Sequence, residues 1–117
     1  MKIQALLLGL AGLALSFDSI AGSTTGRNDH VDLVKARATD IFIIRFEGRE
    51  FASVQVDGDG STDLDCEVLD EGDHSVASDF DGTDNCRMSW IPAWTGKFKI
   101  HIINRGFESN FYRIRTN

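Results

Sequence analysis

From Asp40 to the C-terminus, apolar and polar residues alternate with a period of two, the repeat of a strand with one buried face. Residues 41–48, IFIIRFEG, put Phe42, Ile44 and Phe46 on one side and Arg45 and Glu47 on the other. FASVQV at 51–56, LDCEV at 64–68, CRMSW at 86–90, FKIHI at 98–102 and FYRIRT at 111–116 repeat the pattern, with a weaker strand, SVAS, at 75–78. Turn-formers separate them: EGRE, DGDGST, DEGDH, DFDGTDN, IPAWTG and NRGFESN. One wet face per strand is the mark of antiparallel sheets. About seven short strands with turns at this spacing predict an all-β antiparallel sandwich, with a barrel as the lesser option.

Residues 1–21 read differently. Lys2 heads a largely apolar run from Ile3 to Phe17, and Ser19-Ile20-Ala21 places small residues before a cleavage point. This is the layout of a secretory signal peptide. The run is about fifteen residues, short of the roughly twenty that span a bilayer. Residues 22–39 read as a flexible or partly ordered lead-in, in which 31–38 is either a short helix or extended chain. The domain then occupies 40–117, as a free-standing module in the periplasm or outside the cell with no membrane association after cleavage.

The formal net charge of −6 argues against nucleic acid as a partner. Cys66 and Cys86 are the two cysteines. In an exported chain an even count reads as a disulfide, and both lie on the apolar phase of their strands. Free thiols or metal ligation are the alternatives, although two cysteines without a nearby histidine pair do not make a zinc site.

Gly58-Asp59 leads into Thr62-Asp63-Leu64-Asp65, and Val76-Ala77-Ser78-Asp79 follows. Trp90 to Gly96 forms Trp-x-Pro-x-Trp-Thr-Gly, and Asn104-Arg105-Gly106 and Asn110-x-Tyr112 complete the set. In this order and spacing the pieces resemble the bacterial pre-peptidase C-terminal domain. The resemblance implies a jelly-roll-like sandwich and an accessory role beside secreted peptidases and other exported enzymes, with calcium or an insoluble polymer bound in some members.

Two acidic runs are candidate calcium ligands: Asp57, Asp59, Asp63 and Asp65, and Asp79, Asp81 and Asp84. Flexible Asp/Gly turns supply the oxygens that calcium needs. The first run is not an EF-hand, since Thr62 and Val68 stand where Gly and Glu are required. Alternation puts Asp63 and Asp65 on the outward face, where two loops at one end of a sandwich would share an ion. The competing reading is solvated turns capped by aspartate.

No catalytic residue is assigned. His30, His74 and His101 show no convergence, and no serine sits in a nucleophile elbow. Trp90 is in phase with the core. Trp94, in the turn after Pro92, reads first as a cap over the core and second as a platform for a sugar or peptide. Lys97, Lys99, Arg113 and Arg115 would form a basic, partner-binding patch if their strands pair, with His101 beside them. The function expected is a secreted, non-catalytic binding module for a protein or extracellular polymer. The alternative is a regulatory or structural partner of an exported peptidase, acting in trans.

Overall fold

The structure, a computed structural model, describes residues 27–117 and, ahead of them, two short paired strands, Leu7–Gly9 and Gly12–Ala14. The signal peptide expected over 1–21 otherwise lies outside the described residues. From Asn28 onward the chain forms eight strands: β1 (Asn28–Val34), β2 (Thr39–Phe46), β3 (Ala52–Gly58), β4 (Leu64–Leu69), β5 (Ser75–Asp79), β6 (Asn85–Trp90), β7 (Gly96–Asn104) and β8 (Asn110–Thr116). No helix among the described residues is long and apolar enough to cross a membrane.

The strands divide into two antiparallel four-stranded sheets, in the orders β2-β7-β4-β5 and β1-β8-β3-β6. Every connection from β2 onward except β4–β5 passes from one sheet to the other. The expected alternation is what closes the sandwich. Phe42, Ile44, Phe46, Ile100 and Ile102 from one sheet meet Val54, Val56, Met88, Tyr112 and Ile114 from the other, all buried. Burial at this density, about 25 cal/mol per Å² of apolar surface, is the main term favouring the fold.

Cys66 on β4 and Cys86 on β6 form a disulfide, with Cα atoms 6.3 Å apart. It joins the two sheets through the core, as their apolar phase predicted. The Tyr112 hydroxyl donates to the Asp40 carboxylate at 2.6 Å, so a phenol and a carboxylate share one buried site. Burial and the Asp40 charge push the Tyr112 pKa well above its ordinary value.

The lead-in differs from expectation. Asn28–Val34 is an edge strand, paired with β8 from Asn28↔Thr116 to Val34↔Asn110. Val34 is fully buried, and the His30 ring packs edge-on against Phe42 at 5.9 Å. The sandwich therefore takes in chain placed before residue 40 and has eight strands rather than seven. Of the two forms open for this stretch the extended one is found, with polar His30 and Asp32 on the same inner phase as Val34, as an edge strand can tolerate.

Candidate functional site

Because the strands are antiparallel, the loops gather at two ends. One end carries the acidic runs, and its loops do meet, as supposed. Leu64 N–H donates to the Thr83 carbonyl at 3.1 Å, and Gly58 N–H to the Asp84 carbonyl at 2.9 Å. Several carboxylate oxygens there accept hydrogen bonds. Asp59 accepts from the Ser61 N–H and hydroxyl through one oxygen and from Phe111 N–H through the other. Asp81 accepts from the Thr83 N–H and hydroxyl, and Asp84 from Gly60 N–H at 2.6 Å. Asp79 accepts from Arg87 N–H at 2.9 Å. Gly60 sits at φ +89°, the left-handed conformation that lets its N–H point at Asp84. Hydrogen bonds from Ser61 and Thr83 hold the Asp59 and Asp81 pKa values below the ordinary carboxylate value.

Asn110, fully buried, ties these loops together. Its amide donates to Thr62 and Asp84, and its carbonyl oxygen accepts from Asp59 N–H. Its role was visible in the sequence only as part of a motif. Asn104, also buried, clamps the next loop through Val34, Glu108 and Gly106.

Two of the aspartates depart from expectation. Asp65 is not out in solvent: it is 8% exposed and receives the Arg105 Nε–H at 2.7 Å. The β7–β8 turn folds over β4 and brings Arg105 with it, through a bond from Arg105 N–H to the Asp63 carbonyl. Asp57 lies on the outer face of the second sheet, between Arg87 at 2.7 Å and Arg115 at 2.9 Å, away from the other acidic residues' loop contacts. The Arg87 hydrogen bond, then that of Arg115, lowers its pKa. Among the described aspartates, Asp63 alone keeps a buried oxygen without a partner. Desolvation, then the charges of Asp65, Asp81 and Asp84, raise its pKa.

A calcium ion takes six to eight oxygens. Among the described residues no group of three or more His, Cys, Asp or Glu is arranged to hold a metal. Arginines engage two of the seven candidates, Asp57 and Asp65, and N–H groups take one oxygen each of Asp79, Asp81 and Asp84.

The basic patch is also absent in the form expected. β7 and β8 are consecutive but lie in different sheets, so Lys97 and Lys99 face away from Arg113 and Arg115. Lys99 pairs with Asp73, and Arg113 makes two bonds to Asp29, at 2.8 and 2.7 Å. Alternation assigns faces within a strand but not the strand's neighbours, which is why the patch was misjoined. The histidines are likewise apart, His30 on β1, His101 on β7 and His74 in the β4–β5 turn. Burial lowers the His101 pKa.

The opposite end carries the turn with Trp94. Trp94 is 73% exposed and does not cap the core. Trp90 does that work, packed against Phe46 and Phe98 at ring-centroid distances of 4.9 and 5.4 Å. Between them lies a groove of about 580 Å³, walled by Val76, Trp90, Pro92, Trp94 and Phe98. Asp70 and Glu71 stand on its rim, and exposed Ile91 extends its apolar wall.

The turn that carries Trp94 is held from two sides. Arg49 N–H donates to the Pro92 carbonyl at 2.7 Å, and Gly48 N–H to the Thr95 hydroxyl at 2.9 Å. A Cβ at Gly48 would lie 2.6 Å from the Trp94 backbone, so only glycine allows this approach. On the other side Glu71 accepts the Lys97 N–H at 2.9 Å.

No family model matches the chain, and no curated protein matches it in sequence. Among solved structures it is similar to the pre-peptidase C-terminal domain of a collagenase from Bacillus anthracis, with a TM-score of 0.63 and 10% identity over 80% of this chain and 91% of that one. It also aligns with a de novo designed double-stranded β-helix, with a TM-score of 0.47 and 12% identity over 77% of this chain and 99% of that one. The two-sheet antiparallel sandwich described above is thus the fold of a pre-peptidase C-terminal domain.

Proposed function

We propose that the protein is an exported, non-catalytic binding module that engages a protein or polymer surface through the Trp94 groove. One observation carries this reading: an indole that is 73% exposed, on a turn pinned by Gly48 and Arg49, beside a groove of about 580 Å³. Exposing a large aromatic ring costs free energy unless a ligand covers it, and a fixed aromatic surface binds at low entropic cost. The inter-sheet disulfide is consistent with an oxidising compartment.

The test is retention on insoluble polymers and on native secreted proteins, compared between the parent and Trp94→Ala. The expected result is retention by the parent that the substitution abolishes. Equal retention of both proteins would remove the groove from the function.

A second reading is favoured by the fold neighbour being a domain of a collagenase. In it, the surface bound is an exported peptidase, which this protein would serve in trans. Recovery of a peptidase on the immobilised parent, and not on Trp94→Ala, is the outcome that selects it.

A further inference from the structure

We infer that the Trp94 groove takes a lysine or arginine side chain presented by a partner protein, holding the cation between indole and carboxylate. The inference rests on the binding role proposed above and adds the chemistry of the occupant.

Asp70 and Glu71 are the only Asp, Glu, Lys or Arg among the described residues lining the groove; the other titratable group there, His74, sets its ring Nδ1 3.3 Å from Asp70 Oδ1 and leaves Glu71 to itself. Each carboxylate is fixed by one oxygen. Asp70 Oδ1 accepts from Gly72 N–H at 2.8 Å and His74 N–H at 2.9 Å, and Glu71 Oε2 accepts from Lys97 N–H at 2.9 Å. Among the described residues, the second oxygen of each carries no hydrogen bond. The His74 N–H bond, together with that of Gly72, holds the Asp70 pKa below the ordinary carboxylate value. The walls are apolar and aromatic, with Trp94 open to solvent.

A long side chain with a methylene stem and a cationic head matches this combination. The stem packs on Pro92 and the indole, and the head lies over the indole face within reach of a carboxylate. An anionic occupant would meet like charge. A sugar would use the indole, yet nothing in the groove's charge would favour it. The buried Trp90 Nε1 is not exposed to a ligand and takes no part.

The experiment is an NMR titration of the protein, following the two tryptophan indole resonances. The probes are an extended glycine-serine peptide with two lysines, the same peptide with norleucine in their place, and chitotetraose. The lysine peptide is expected to shift the Trp94 resonance, the norleucine peptide to bind at least threefold more weakly, and added salt to weaken the first and not the second. Glu71→Gln is expected to weaken the lysine peptide by about two- to fivefold, the range of an exposed ion pair. It leaves the Lys97 N–H contact an acceptor, so folding is preserved. Equal binding of lysine and norleucine peptides, or a shift by chitotetraose alone, overturns the cationic occupant while the groove remains a binding site. No shift of Trp94 by any of the three overturns the cationic occupant, and the polymer and secretome retention test then decides separately whether the groove binds at all.

Discussion

Arg105 donates to Asp65 at 2.7 Å from a turn forty residues away in sequence, and so delivers a positive charge among the acidic loops of one end of the sandwich. Asp65 is nearly buried while Arg105 is about half exposed, so the pair lies between the surface and core cases. Arg105→Gln should cost about 1–2 kcal/mol, between the values for exposed and buried pairs. Since the guanidinium already serves the cluster, melting in EDTA and in millimolar calcium should give the same temperature within about a degree. A calcium-dependent rise of several degrees would show that the aspartates rearrange around an ion.

Asp63 gives a pH signature. Its folded pKa is raised, first by desolvation and then by Asp65, Asp81 and Asp84. The folded state thus binds this proton more tightly than the unfolded chain. Its contribution favours folding at low pH and is lost as pH rises through the folded pKa. Asp63→Asn should therefore be more stable than the parent at pH 7, with the difference closing below the ordinary carboxylate pKa of about 3.9. Urea titrations of both proteins across this range provide the check, and a difference that persists at pH 3 would refute the electrostatic cause.

The disulfide closes a separation of 20 residues between sheets. On the chain-entropy model its loss costs about 3 kcal/mol. Replacing Cys66 and Cys86 together with alanine should lower the denaturation midpoint accordingly, with somewhat more lost to the vacated core volume. Unreduced protein should also resist alkylation at both positions. An unchanged midpoint would contradict the core position of the bridge.

Gly48 controls the groove from outside it. Gly48→Ala would put a methyl group 2.6 Å from the Trp94 backbone, and the turn must move. The expected cost is about 1–3 kcal/mol of stability, as for other overpacked sites. Trp94 should shift in NMR while Trp90, held by Phe46 and Phe98, stays in place. If both indoles keep their resonances, the Gly48 contact does not position the turn.

Strand identity was readable wherever one face of a strand meets the core, since Phe42, Ile44 and Phe46 or Phe98, Ile100 and Ile102 admit one orientation. What failed was what alternation does not encode. β1 hid because an edge strand tolerates His30 and Asp32 on its inner side. The partition of β7 and β8 into different sheets depends on how the 104–110 connection crosses the sandwich. Asp65 followed the outward phase, but its cover comes from a distant turn. Trp94 lies in a turn, where no period applies, and its backbone is packed by Gly48 from a loop distant in sequence. Asp59, Asp70 and Asp81 cap their own turns, the form weighed beside calcium in the sequence.

The pairing of Asn28 with Thr116 sets how the domain bears load. The first and last strands lie side by side and antiparallel, so tension between the two ends of the sandwich acts across their ladder and parts it one rung at a time. The doubled Arg113–Asp29 contact sits near the first rungs and would resist the opening. Behind it, the Cys66–Cys86 bridge keeps the two sheets from separating after β1 has peeled away. Under force the molecule should yield first at its N-terminal strand, as an early, low-force step that leaves the bridged remainder and the Trp94 turn in place.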